Sequence, residues 1–125
     1  MKKSRPILVA VAATGIATLL IAEETKAPDA FTANPRSIEL KLDNEQVRVM
    51  EARLQPGQKE NAHSHPAYVV YVVAGGRIRN HLAGGKTSES ELKTGEVLYR
   101  DPLTHWAENI GDTPARFILV ELKGA

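Results

Sequence analysis

The sequence predicts an all-β domain, a sandwich or barrel of about eight short strands. Three observations predict it. Strand-like runs recur at a spacing of roughly 8–12 residues, with Gly, Pro, Asn and Asp between them. Beyond residue 27 no long stretch carries the periodicity of an amphipathic helix. The run from Tyr68 to Ala74 is aromatic and β-branched throughout, and Pro66 and Gly75-Gly76 bound it. Edge strands are a hazard for so small a domain, and a closed or rolled sheet removes them. A β-barrel over residues 38–123 is therefore the expected architecture.

The segment 28–37 has two prolines and little periodicity, and reads as a linker or extended arm. Ile38, Leu40 and Leu42 alternate with Glu39 and Lys41, the mark of a half-buried strand. Asp43 to Gln46 is a polar turn, and Val47 to Leu54 is the next strand. Pro56-Gly57 turns the chain ahead of His63-Ser64-His65. Tyr68 to Ala74 is apolar on both faces and reads as a central, covered strand. Gly75-Gly76 predicts a tight hairpin into Arg77 to Ala83. There Ile78, Asn80 and Leu82 share one face and Arg77, Arg79 and His81 the other. Gly84-Gly85 turns again. Thr87 to Lys93 is polar, a short edge strand or loop. Glu96 to Arg100, His105 to Ile110 and Ala115 to Lys123 complete the strands, separated by Asp101-Pro102 and Gly111-Asp112-Thr113-Pro114.

The chain has 125 residues, which bounds it at one domain. Its formal net charge is +1, with no basic run beyond the first five residues. That argues against nucleic acid as a partner. Cysteine is absent, so neither a disulfide framework nor a thiolate metal ligand is available. About two-thirds of the surface of such a domain is buried on folding, so a bound metal or a homodimer through the apolar strands would help it.

The N-terminus differs from the rest. Lys2, Lys3 and Arg5 precede an uncharged, mostly apolar run over residues 6–22, which Glu23 and Glu24 end. A basic start and a short apolar run read as a secretory signal peptide. Residues 1–27 are the expected leader, with Ala22 and Ala27 as candidate last residues. Export to the periplasm or outside the cell follows. The competing reading is an uncleaved membrane anchor through residues 6–22, although the run is shorter than the about 20 residues that span a bilayer.

The chemistry centres on histidine. On an extended backbone, side chains at i and i+2 point to one side, so His63 and His65 can aim at one point. His105 follows a turn in a later strand. Imidazole is the commonest side-chain ligand of first-row metals, and three imidazoles from two segments can hold one ion. Asn80, on the face of Ile78 and Leu82, is a candidate interior contact. His81 belongs on the surface by its phase. Trp106 should point away from His105, and Asn109 should fix a strand end. Arg100 and Glu108 either flank the mouth of the barrel or form solvated ion pairs.

These residues resemble the two motifs of the cupin superfamily of small jelly-roll β-barrels. Gly57, His63, His65 and Gly76 match the first motif, and His105 and Asn109 match the end of the second. Gly95 and Pro102 match more loosely, with one residue fewer than usual between the parts. The resemblance runs from about Ile38 to Leu122 and implies a single-domain cupin. It implies His63, His65 and His105 as ligands of a divalent metal, Fe, Mn, Zn or Ni. The family's fourth ligand is a glutamate, and Val69 stands at the matching position. Three-histidine sites occur in some cupin-like thiol dioxygenases, so three ligands are compatible with a metal. Tyr71 shares the side of Val69 by alternation and is a second candidate pocket residue.

Three functions follow. The chain is a metal-dependent dioxygenase or isomerase of a small organic molecule, a non-catalytic module that binds a metal or small ligand, or a metal-free structural barrel. The superfamily hosts many unrelated chemistries, so the fold alone does not choose between them.

Overall fold

The structure is a computed structural model that describes residues 27–124. Of the expected leader, all but Ala27 lies outside the described residues. Among the described residues no helix is long and apolar enough to cross a membrane.

The described residues form one helical turn, α1 (Ala30–Ala33), and nine strands. These are β1 (Ile38–Asp43), β2 (Val47–Leu54), β3 (His63–His65), β4 (Tyr68–Ala74), β5 (Gly76–Leu82), β6 (Thr87–Leu92), β7 (Val97–Arg100), β8 (Leu103–Asn109) and β9 (Ala115–Leu122). The strand beyond those expected is β3, the three-residue His-Ser-His segment. Two antiparallel sheets result, one in the order β1-β2-β9-β4-β7 and one in the order β3-β8-β5-β6.

The described residues form no closed barrel, which corrects the expected architecture. Among the described residues no strand pairs across the two sheets, so β1 and β7 remain edges of one sheet and β3 and β6 of the other. The β6 edge carries charge, which disfavours pairing with another chain. On β6, Glu89 pairs with Arg79 at 2.8 Å and Glu91 with Arg77 at 3.5 Å, both across the β5–β6 register. The expected hairpin at Gly75-Gly76 is also absent: β4 and β5 belong to different sheets. Gly75 is the corner where the chain crosses. A Cβ there would lie 2.2 Å from the Leu92 carbonyl oxygen, so the crossing needs a residue without a side chain.

The core lies between the sheets. Met50, Ala52 and Leu54 of β2, Tyr68, Val70 and Val72 of β4, and Phe117 and Leu119 of β9 face Ile78 of β5 and Ala107 of β8. Period-two alternation puts these residues on one face and leaves Tyr71, Val97 and Tyr99 exposed on the other.

The segment expected to be a linker is partly folded against this sandwich. Asp29 caps α1 by accepting from the Thr32 amide at 3.1 Å. Ala30 and Asn34 are buried, and the Ser64 amide donates to the Pro28 carbonyl at 2.8 Å. The arm thus borders the strand that carries two of the three histidines.

Candidate metal centre

Strand β3 lies antiparallel to β8 with His63 directly opposite His105. His65, two residues on, keeps the same face. The three rings therefore meet, with centroids 4.7 Å apart for His63–His65, 4.8 Å for His63–His105 and 5.2 Å for His65–His105. One ring nitrogen of each lies within 4.8 Å of the others, and all three residues are buried.

The Nδ1 atom of each ring is already committed. His63 Nδ1 donates to the Asn61 carbonyl at 2.7 Å. The Asn34 amide, 3.1 Å from the same nitrogen, directs its hydrogens to the Ala30 and Asn61 carbonyls. His65 Nδ1 donates to Glu121 Oε2 at 2.6 Å. His105 Nδ1 donates to Asn80 Oδ1 at 2.9 Å. An oxygen acceptor on Nδ1 fixes the tautomer and leaves the Nε2 lone pair free. Burial pushes His105 down to about 3 and lowers His63 from its ordinary range, so both rings stay unprotonated at neutral pH. Three oriented nitrogen donors with three outer hydrogen-bond acceptors fit a divalent ion.

These rings line a cavity of about 160 Å³ between the sheets. Leu54, Val70, Ile78, Leu98 and Leu119 supply apolar wall. Tyr68 stacks on His65 with centroids 4.2 Å apart, and burial pushes its hydroxyl up to about 12, so it is a neutral phenol. Asn80, His105's partner, also lines the cavity.

Tyr71 corrects the sequence reading. It is 45% exposed, on the outer face of its sheet, and does not line the cavity. Val69 shares that outward phase, so the position matched to the family's glutamate does not face the histidines. The inward residues of β4 are Tyr68, Val70 and Val72, none of them a carboxylate, and the first two line the cavity.

Carboxylates nevertheless reach the site from elsewhere. Glu60, on the segment before β3, lines the cavity with its side chain 7% exposed and Oε1 3.7 Å from His63 Nε2. Its Oε1 accepts from the Ala107 amide at 3.0 Å. Loss of water pushes its carboxyl up to about 7, which suits a group that holds or releases a proton near neutral pH. Glu121 is the other. It continues the inward phase of Ala115, Phe117 and Leu119 in β9, and an acid in a core phase was the legible signal for it. Glu60 sits in no periodic run and left no such signal.

The remaining expectations divide. His81 is on the outer face, stacked on Trp106 at 3.5 Å and bonded to Glu108 at 2.9 Å. Glu108 also approaches Arg79 at 3.7 Å, so it is an ion-pair residue. Asn109 is fully buried and ties turns together, donating to the Leu54 and Thr113 carbonyls at 2.9 Å. Arg100 lines the cavity, and among the described residues no carboxylate lies within 4.0 Å of it.

The cupin-domain family model matches residues 50–121. A cupin domain from Bordetella pertussis Tohama I is 29% identical, with a TM-score of 0.65 over 80% of this chain and 99% of that one. A Klebsiella pneumoniae protein with a double-stranded β-helix domain is 26% identical, with a TM-score of 0.59 over 82% and 86% of the two chains. A predicted oxalate decarboxylase from Thermotoga maritima, 22% identical, shares the fold with a TM-score of 0.52 over 69% and 78%. No curated protein matches the sequence. With the family match spanning more than half of the chain and both sheets carrying the shared fold, the protein belongs to the cupin-domain family.

Proposed function

We propose that this protein holds a divalent metal on His63, His65 and His105 and uses it on a small organic molecule. The observation that carries the reading is three buried histidines, one ring nitrogen of each within 4.8 Å of the others, with all three Nδ1 atoms anchored at the wall of a cavity. An ion held by three imidazoles keeps open positions, where it would act as a Lewis acid or bind dioxygen beside a substrate. Fe, Mn, Zn and Ni all suit imidazole.

The chain's own residues do the rest. Glu121, Asn80 and the Asn61 carbonyl hold the ligand rings in place. Leu54, Val70, Ile78 and Leu119 exclude water. Glu60 can hold or accept a proton at its carboxyl, in reach of anything that sits beside His63. This arrangement supports a dioxygenase or isomerase. The alternative is a non-catalytic metal- or ligand-binding module, and the observation behind it is that the family's glutamate position faces outward as Val69.

The deciding experiment is elemental analysis of protein purified without a histidine tag or chelator. About one equivalent of a divalent transition metal per chain is the expected result. A metal-free protein that also fails to take up Fe, Mn, Zn or Ni sinks the proposal. Turnover assays on the loaded protein then separate the enzyme from the binding module.

Two further features belong to the proposal. The basic and apolar pattern of residues 1–27 supports export to the periplasm or beyond, and N-terminal sequencing of the expressed protein tests it. The exposed trio Tyr71, Val97 and Tyr99, in which Tyr71 pairs with Val97 across β4 and β7, supports a homodimer through that face. Sedimentation of the parent and of Tyr71→Asp tests that.

A further inference from the structure

Arg100 is a cation on an otherwise mainly apolar wall. Residues Leu98 and Arg100 take the inner phase of β7, while Val97 and Tyr99 take the outer one. The residue opposite Arg100 in the register is Tyr68, the ring that stacks on His65. Arg100 is thus one cross-strand neighbour from the histidine cluster.

Arg100 is half-buried at a mainly apolar cavity wall, where a guanidinium can receive an anion brought by a ligand. The obvious internal partners are engaged elsewhere. Glu121 serves His65 at 2.6 Å, and Glu60 lies at the His63 side of the cavity, outside ion-pair range of Arg100. We infer that the ligand of this cavity is a small monocarboxylate with an apolar body, its carboxylate received by Arg100.

The chemistry narrows the class in three steps. A guanidinium presents paired donors that match the two oxygens of a carboxylate. The cavity, at about 160 Å³, is smaller than the about 300–1,000 Å³ of sites for drug-sized ligands, so the molecule has few heavy atoms. The leucine, valine and isoleucine wall fits a short alkyl or aryl body and leaves a more highly charged phosphate short of donors. The inference rests on the proposed metal site only for where the far end of the ligand lies.

The test uses the full chain loaded with Co(II), and isovalerate with isovaleramide as probes of equal shape and unequal charge. Calorimetric titration of the parent should show the acid binding about tenfold more tightly than the amide. Arg100→Gln should erase that preference with cobalt content and visible absorption unchanged. Arg100→Lys, a point charge without the fork, should keep part of it. Equal binding of acid and amide, no binding of either, or a preference that survives Arg100→Gln overturns the inference while leaving the metal site standing. A chain that takes up no cobalt yet keeps an Arg100-dependent preference overturns the metal proposal and leaves the carboxylate site.

Discussion

His65 and Glu121 join the two sheets through the middle of the sandwich. The imidazole comes from β3 in one sheet and the carboxylate from β9 in the other, and Nδ1 donates to Oε2 at 2.6 Å with both residues buried. A ligand ring is therefore aimed by a strand far away in sequence. Removing the charge while keeping the shape, as in Glu121→Gln, should weaken metal binding by about 10–100-fold. Competition titration with a chromophoric chelator measures it. Unchanged affinity would mean that the pair serves packing alone.

The cluster itself predicts a division among the four histidines. His63→Ala and His105→Ala each remove one of three converging nitrogens and should lose most of the bound metal. His81→Ala should keep it, because that ring is stacked on Trp106 on the outer face. Metal content by elemental analysis reads all three. Equal content in His105→Ala and the parent would exclude His105 as a ligand.

Much of this was legible before any coordinates. Alternation in Ile78-Arg79-Asn80-His81-Leu82 places Asn80 inside, and the i, i+2 spacing of His63 and His65 puts them on one side. What escaped the sequence is long-range. Whether β4 turns back on itself or crosses to the other sheet depends on Gly75 meeting the Leu92 backbone, a contact no local pattern encodes. For β4, alternation fixed only that Val69 and Tyr71 share a side. Both faces of that strand are apolar, so nothing local said which side was inner. Glu60 lies outside any strand, and only the fold brings it beside His63.

The crossing at Gly75 gives a stability prediction. An added methyl group would collide with the Leu92 carbonyl oxygen at 2.2 Å and with the Thr94 amide nitrogen at 3.0 Å. Backbone cannot step aside as a flexible side chain can, so Gly75→Ala should cost about 1–3 kcal/mol or more. Gly76→Ala meets only the Ala115 Cβ at 3.3 Å and should cost less. Denaturant unfolding of both variants ranks them, and the reverse order would show that the corner is not where the chain is constrained.

Glu60 predicts how the metal-free protein responds to pH. Unfolded, its carboxyl titrates near 4.5, and burial raises it to about 7 in the folded chain. Between those values the folded chain holds a proton that the unfolded chain has released, so this group lowers stability as pH rises. His105 acts in the opposite sense. Burial lowers it from 6.5 to about 3, so between those values the unfolded chain holds the extra proton and stability rises with pH. Glu60→Gln removes the first effect and leaves the second, while its amide oxygen can still accept from Ala107. The variant should match the parent near about pH 4 and exceed it near about pH 8 by up to about 3 kcal/mol. Urea unfolding of both metal-free proteins at the two pH values measures the difference. A gap of the same size at both would mean that Glu60 titrates in the folded chain as it does in the unfolded one, and that the cavity does not withdraw it from water.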